Sequence, residues 1–232
     1  MIGTSAVFFD VDFTLIHPGP RFQGSGYQAS CRKYDVHVDP GRFEAAVRGA
    51  ALVLEGADDR YDADLYVRYT ARIIELMGGS GAVVEAIARE MYEEWAENHH
   101  FVLYDDVRTT LRELTEQGYR VGLISNSHRC LVSFQAHFEL TGLIDVTVSS
   151  ADLGVMKPHP SIFQAALLRM GVMAEAAVMV GDSLVHDVNG AMRVGMHGVW
   201  LVRGDRAPDP TPAVTTIGSL RELPALLSPA AR

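Results

Sequence analysis

Asp10 and Asp12 end the apolar run in AVFFDVDFTLI, residues 6–16. Side chains two apart on an extended chain face the same way, so two carboxylates are aimed at one spot. Other polar groups also follow apolar runs: Ser125-Asn126 after YRVGLI, Lys157 in the loop after IDVTVSS, and Asp182 after AAVMVG, with Asp187 five residues on. Acids gathered in one crevice repel each other, and a hard cation bound by oxygens, Mg²⁺ above all, relieves that repulsion. Lys157 offers a point charge for a phosphate or for an attacking carboxylate. The Ser125 hydroxyl and nearby backbone N–H groups can take a phosphate oxygen. Such a set suits phosphoryl transfer, in which positioning and charge neutralisation do most of the catalysis. A carboxylate can be the nucleophile, through an aspartyl-phosphate. One aspartate of the pair then attacks phosphorus. The other protonates the leaving oxygen and later takes a proton from water, help worth about 10²–10⁴-fold. The two roles need different surroundings: a metal keeps Asp10 ionised, and Asp12 holds its proton more readily away from it.

These groups can meet only if the intervening chain brings the run ends together. After residue 100, helical and strand patterns alternate: a helix in DDVRTTLRELTEQG, a strand over 119–124, a helix near 129–138, a strand in IDVTVSS, a helix in PSIFQAALLRMG, a strand in AAVMVGD, a helix in LVHDVNGAMRVG and a strand in HGVWLV. A weak strand near 214–217 and a last helix in GSLRELPALL close the pattern, and GDRAPDPTPA, residues 204–213, reads as a surface loop. Alternation of this kind implies βαβ units and a doubly wound parallel sheet, an α/β Rossmann-like core. Ligands of such sheets lie at the carboxyl ends of the strands, where all the groups above fall. Residues 17–100 differ. After the Pro/Gly-rich HPGPRFQGSG come helical patterns at roughly 25–36, 40–54, 62–77 and 81–98, which predict an inserted all-helical subdomain. The expected organisation is therefore a core of 1–16 and 101–232 around a helical insert of 17–100.

Composition narrows the class. The 232 residues carry a formal net charge of −9 and no dense Lys/Arg run, which speaks against nucleic acid as a partner. No apolar run reaches the roughly 20 residues of a membrane helix, and MIGTSAVFFD lacks the basic start of a secretory leader. Two cysteines, Cys31 and Cys130, in no CxxC arrangement fit a reducing compartment, and both read as small buried hydrophobes. A cytoplasmic protein, monomer or homodimer, is expected.

DVDFT, LISNS, KPHPSIF and GDSLVHD together resemble the four ordered motifs of the haloacid dehalogenase-like hydrolase superfamily, in its phosphatase branch. The likeness spans nearly the whole chain, and the helical insert is similar to that family's cap. The resemblance implies that Asp10 is nucleophile and metal ligand, and that Asp12 is the acid/base and binds the metal through its backbone carbonyl. It implies that Thr14 supports the first motif, that Ser125 binds the phosphoryl group with backbone help from Asn126, and that Lys157 neutralises and orients. Asp182 is implied as a metal ligand, and Asp187 as touching the ion directly or through a neighbouring ligand. The expected activity is Mg²⁺-dependent hydrolysis of a small phosphate monoester. A sugar phosphomutase and a slowly turning-over binding or regulatory protein are alternatives on the same scaffold. Members that cleave carbon–halogen bonds generally lack an acid at position 12, so Asp12 disfavours that chemistry. The family often has Gly where Phe13 stands, so a bulky side chain there could narrow substrate choice.

Other residues invite site readings of their own. Arg21, Phe22 and Tyr27 sit in a loop that could touch substrate, and Gly19 and Gly24 could act as hinges of the cap. His99, His100 and His186 show no metal-binding spacing and read as exposed or hydrogen-bonded, and Met91, Tyr92 and Trp95 as packing positions of a helix.

Overall fold

The computed structural model describes residues 3–54, 59–204 and 214–227. The chain separates into two compact units, Met1–His17 with Leu103–Arg232, and Pro18–Val102. Nearly all of the 204–213 loop expected from the sequence lies outside the described residues.

The first unit opens with β1 (Ala6–Phe9), and the chain leaves it through β2 (Ile16–Pro18). The second unit follows with helices α1 (Gly24–Arg32), α2 (Phe43–Ala50), α3 (Ala63–Leu76) and α4 (Val84–Glu94). β3 (Phe101–Leu103), which pairs with β2, returns the chain to the first unit. There α5 (Val107–Glu116), β4 (Arg120–Ser125), α6 (Leu131–His137), β5 (Val146–Ser149), α7 (Ser150–Leu153), α8 (Pro160–Met170) and β6 (Ala177–Gly181) alternate. A π-helical turn over Leu184–Asn189 runs into α9 (Gly190–Arg193), and β7 (His197–Leu201), β8 (Thr215–Ile217) and α10 (Leu223–Leu227) complete the described chain.

Six of these strands form one parallel sheet in the order β5-β4-β1-β6-β7-β8. The architecture is a doubly wound, Rossmann-like α/β fold. The strands show why: β1 and β6 are buried at every position, which is the mark of strands covered on both faces. Phe8 packs with Ile124, Phe163, Ala166 and Met170 on one face, while Val7 and Phe9, which point the other way along the pleat, are equally buried. Each such side chain contributes about 1.5–3 kcal/mol of transfer free energy. Sequential connections go from β1 to β4 on one side, and β6 lies on the other, so β1 marks the point where strand order reverses. In register, Phe9 stands opposite Leu123 and Val180. The residues just beyond β1, β4 and β6 therefore emerge at one edge, which is the crevice such sheets offer to ligands.

In the second unit α4 packs on α3 and α3 on α2, burying Leu65, Ile73, Ile74, Ile87 and Met91. The loop residues expected to meet substrate are internal to this unit. The Phe22 ring is 4.6 Å from Trp95 and 5.5 Å from Phe101, and the Tyr27 ring is 5.1 Å from Phe43; Phe22 and Tyr27 are both buried. The Arg21 guanidinium pairs with Glu94 and donates to the Ser30 hydroxyl and the Gly26 carbonyl. Apolar burial and an internal ion pair account for all three. Gly19 and Gly24 sit where a Cβ would come within 2.8 Å of the His100 carbonyl and 2.4 Å of the Pro40 carbonyl, so close packing calls for glycine at both. Met91 is buried while Tyr92 and Trp95 are half-buried, and His186 bonds Ser183. Cys31 is buried, but Cys130 is exposed. The Cys130 backbone is extended at the entry to α6, and Leu131 and Phe134 take the core positions instead. Among the described residues no helix is long and apolar enough to cross a membrane.

Candidate active site

Asp10 follows β1 directly and is buried. Its N–H donates to the Val180 carbonyl at 2.9 Å, which extends the sheet pairing by one residue and fixes where the side chain starts. The buried Lys157 amine lies 2.5 Å from Asp10 Oδ1 and 2.7 Å from Asp187 Oδ1, and donates to the Ile124 carbonyl at 2.8 Å. A buried lysine this far from water persists only when paired. Burial opposes its charge, but the Asp10 and Asp187 carboxylates outweigh burial and raise its pKa above the ordinary lysine range. Asn126 holds Lys157 from the main chain: its Nδ2 donates to the Lys157 carbonyl at 2.9 Å, and its Oδ1 accepts the Lys157 N–H at 2.7 Å. The Asn126 side chain is thus committed to bracing Lys157.

The β6 end supplies the rest. The sequence pattern predicts an ordinary helix from residue 184, but its first six residues wind as a π-helical turn. The Val188 N–H reaches back five residues to the Ser183 carbonyl at 3.2 Å, and such wide turns recur at functional sites. Asp187 Oδ2 accepts the Ser183 N–H at 3.0 Å. Gly181 permits this approach, since a Cβ there would lie 2.2 Å from Asp187 Oδ2. Asp182 is held by its main chain: its N–H donates to Thr14 Oγ1 at 3.1 Å, and its carbonyl accepts the Trp200 indole N–H at 2.9 Å.

Oxygens of Asp10, Asp182 and Asp187 lie within 4.8 Å of one another. Burial first, then the charge of Asp187, push Asp10 up to about 6 despite Lys157, which works the other way. Loss of bulk water and the charges of Asp10 and Asp187 push Asp182 up to about 8. Asp182 keeps solvent access, which weakens the burial contribution and leaves the neighbouring carboxylates as the main cause. Hard oxygen donors at this spacing, with a deficit of positive charge among them, fit a small divalent cation.

Asp12 stands apart from this cluster. Its Oδ1 accepts from Arg129 Nη2 at 3.1 Å, and the Arg129 side chain is fully buried while that of Asp12 is 18% exposed. Ser125 is buried at the end of β4 with its Oγ 2.9 Å from Ser127 Oγ. Phe13 has φ of +66° and is 46% exposed. Thr14 is fully buried, and its carbonyl accepts from Arg203, which forms a fork with Asp106. The site thus joins Asp10, Lys157, Asp182 and Asp187 directly, with Thr14 and Asn126 as braces. Arg129, Trp200 and Arg203 were not foreseen. Single Arg and Trp residues inside helical and strand patterns carry no spacing signal, although Arg129 does fall three residues beyond Asn126 in the second motif.

A sequence model of the family described as "Hydrolase: haloacid dehalogenase-like hydrolase" matches residues 4–195. The chain is 30% identical over 241 residues to ribulose-1,5-bisphosphate 5-phosphatase of Halopiger xanaduensis, covering 97% of this chain and 99% of that protein. Among solved structures, a HAD phosphatase from Thermococcus onnurineus is 28% identical with a TM-score of 0.65, covering 97% of this chain and 98% of that one. A 2-haloacid dehalogenase from Pseudomonas syringae is 25% identical with a TM-score of 0.65 and the same coverage.

Proposed function

The chain belongs to the haloacid dehalogenase-like hydrolases and is a phosphatase of that family; from this premise we propose that it hydrolyses a small phosphate monoester through an aspartyl-phosphate at Asp10, with Mg²⁺ as cofactor. The observation that carries this reading is the Lys157 amine held between Asp10 and Asp187 at 2.5 and 2.7 Å. That contact keeps one Asp10 oxygen neutralised and oriented at the strand end. Asp10, Asp182 and the Asp12 carbonyl would hold the ion, with Asp187 beside it. Bound there, the ion would supply charge for the phosphoryl oxygens.

The protein's own groups do the rest. Asp10 attacks phosphorus, the P–O bond to the leaving group breaks, and the Asp12 carboxyl gives its proton to the departing oxygen. Asp12, now ionised, takes a proton from water as that water attacks the aspartyl-phosphate, releasing phosphate and restoring Asp10. Lys157 stays protonated throughout and offsets the charge of Asp10 and Asp187. Ser125 and the Asn126 backbone are the groups we assign to the phosphoryl oxygens, and Thr14 steadies the loop that bears both aspartates. The helical insert, residues 17–100, acts as the substrate-selecting cap, and the enzyme works in the cytoplasm as monomer or homodimer on a phosphorylated metabolite.

Dehalogenation is the weaker reading, because a displaced halide needs no proton from Asp12. The decisive experiment is release of phosphate from a chromogenic phosphate ester with Mg²⁺. Asp10→Asn should lose activity by at least about 10³-fold, as removal of a nucleophile does. An Asp10→Asn rate equal to wild type would remove the nucleophile from the mechanism.

A further inference from the structure

Four carboxylates, Asp10, Asp12, Asp182 and Asp187, belong to the first and last motifs, and two buried cations face them. The cations are divided. Lys157 serves Asp10 and Asp187, while Arg129 serves Asp12 from the opposite loop. The Arg129 side chain has no exposure to solvent, so it cannot reach a substrate without unpacking. A buried guanidinium is costly unless a carboxylate answers it, and Asp12 Oδ1 answers this one at 3.1 Å. The Asp12 side chain is by contrast partly open to water. Burial thus lies with the cation and access with the acid, as expected of a fixed support beneath a working group.

We infer that Arg129 is a positioning residue for Asp12: it holds the carboxyl on the leaving-group side and away from Lys157. Lys157 is the competing cation, and an Asp12 drawn toward it would crowd Asp10 and abandon the leaving oxygen. The same short segment that joins β4 to α6 supplies both supports, Asn126 on the Lys157 main chain and Arg129 on the Asp12 side chain. One loop thereby sets the separation between nucleophile and proton donor. The inference rests on the phosphatase reading of Asp12 given above.

The test uses full-length protein and aryl phosphates of one shape but graded leaving-group basicity, from 4-nitrophenyl to 4-methoxyphenyl phosphate. An enzyme that donates a proton to the leaving oxygen is little affected by the grading. Asp12→Asn should lose most on the methoxy ester, with a methoxy-to-nitro ratio of kcat/KM at least about tenfold below wild type. Arg129→Met should shift that ratio in the same direction, by about tenfold, with KM nearly unchanged. In an Asp12→Asn background, Arg129→Met should cost no more than about threefold further, since groups acting as a unit are not additive. Arg129→Lys, which keeps the charge and loses the fork, should fall between wild type and Arg129→Met, and it carries the test if Arg129→Met does not fold. Equal losses on both esters, or full additivity with Asp12→Asn, overturns the inference. A normal ratio in Asp12→Asn itself would sink the acid/base reading instead, and Arg129 with it.

Discussion

Asp10 and Asp106 are both buried aspartates paired with a cation in the same unit, yet their pKa values move in opposite directions. Asp106 accepts from Arg203 at 2.9 and 3.0 Å, from Ser219 Oγ at 2.8 Å and from the Leu220 N–H at 2.9 Å. Burial opposes its charge, but those four donors outweigh burial and hold it below the usual carboxylate range. Asp10 shares one lysine with Asp187 and has Asp182 beside it, and it is pushed up to about 6. The Asp106 cluster is complete as folded and fastens the turn after β8 to the start of α5. The Asp10 cluster is left short of positive charge, and that shortage is what a divalent ion or an attacked phosphoryl group can answer. Residue type therefore separates structural from reactive acids less well than the count of donors around each.

Lys157→Met should have the largest effect on this contrast. It strands Asp10 and Asp187 together, so activity should fall about 10²–10³-fold, and stability without divalent ion by about 3–5 kcal/mol. Phosphate release and denaturant unfolding would measure the two, and a variant as active as wild type would deny the lysine its role. Asp106→Ala is the counterpart. Stranding Arg203 should cost about 3 kcal/mol of stability, while turnover per folded molecule stays within about threefold of wild type. A much larger loss of turnover would make Asp106 part of the working site and erase the distinction.

Changing the pH separates the clusters more gently. Asp10 and Asp182 have folded values near 6 and 8, above the ordinary 3.8. The folded state then keeps protons that the unfolded chain has released, so without divalent ion these groups lower stability as pH rises from about 4 to 8. Added Mg²⁺ should reverse this. Its stabilisation, about 1–3 kcal/mol at 10–100 times the dissociation constant, should be larger at pH 8 than at pH 5 in thermal unfolding. Asp106 has the opposite sign: its depressed value contributes stability above the ordinary carboxylate pKa, which is lost as pH falls through the folded one. An Mg²⁺ effect independent of pH would contradict the charge shortage at Asp10. The smallest effect is expected of Phe13→Gly. A side chain in the left-handed region costs about 1–2 kcal/mol, part of which glycine returns as unfolded-chain entropy. A gain of up to about 1 kcal/mol in unfolding free energy should follow, and a clear loss would mean that the ring packs well enough to offset its backbone.

The strand ends were legible because fully buried parallel strands are short apolar runs, and a charge directly after one can only emerge at the sheet edge. AVFF before Asp10 and AVMVG before Asp182 are such runs. The short pairs β2 and β3, three residues each, fall below any periodicity. The π-helical turn was hidden because LVHDVNGAMR has ordinary helical spacing, and the contacts of Asp187 with Lys157 and the Ser183 N–H that accompany the turn leave no mark in that spacing. Arg129 and Asp106 were missed for another reason. Long-range ion pairs between residues 117 and 97 positions apart leave no local pattern. Phe22 and Tyr27 were misread as accessible because Pro and Gly around them suggested an open loop, whereas their rings fill the helical unit.

The Trp200 indole, bonded to the Asp182 carbonyl, gives the protein an optical reporter at the acid cluster. Only two tryptophans occur, Trp95 in the helical unit and Trp200 in the sheet unit. Replacing Trp95 with phenylalanine would leave an emission spectrum whose changes on adding cation come from one hydrogen bond away from a carboxylate, so occupancy can be followed by light in the absence of any substrate.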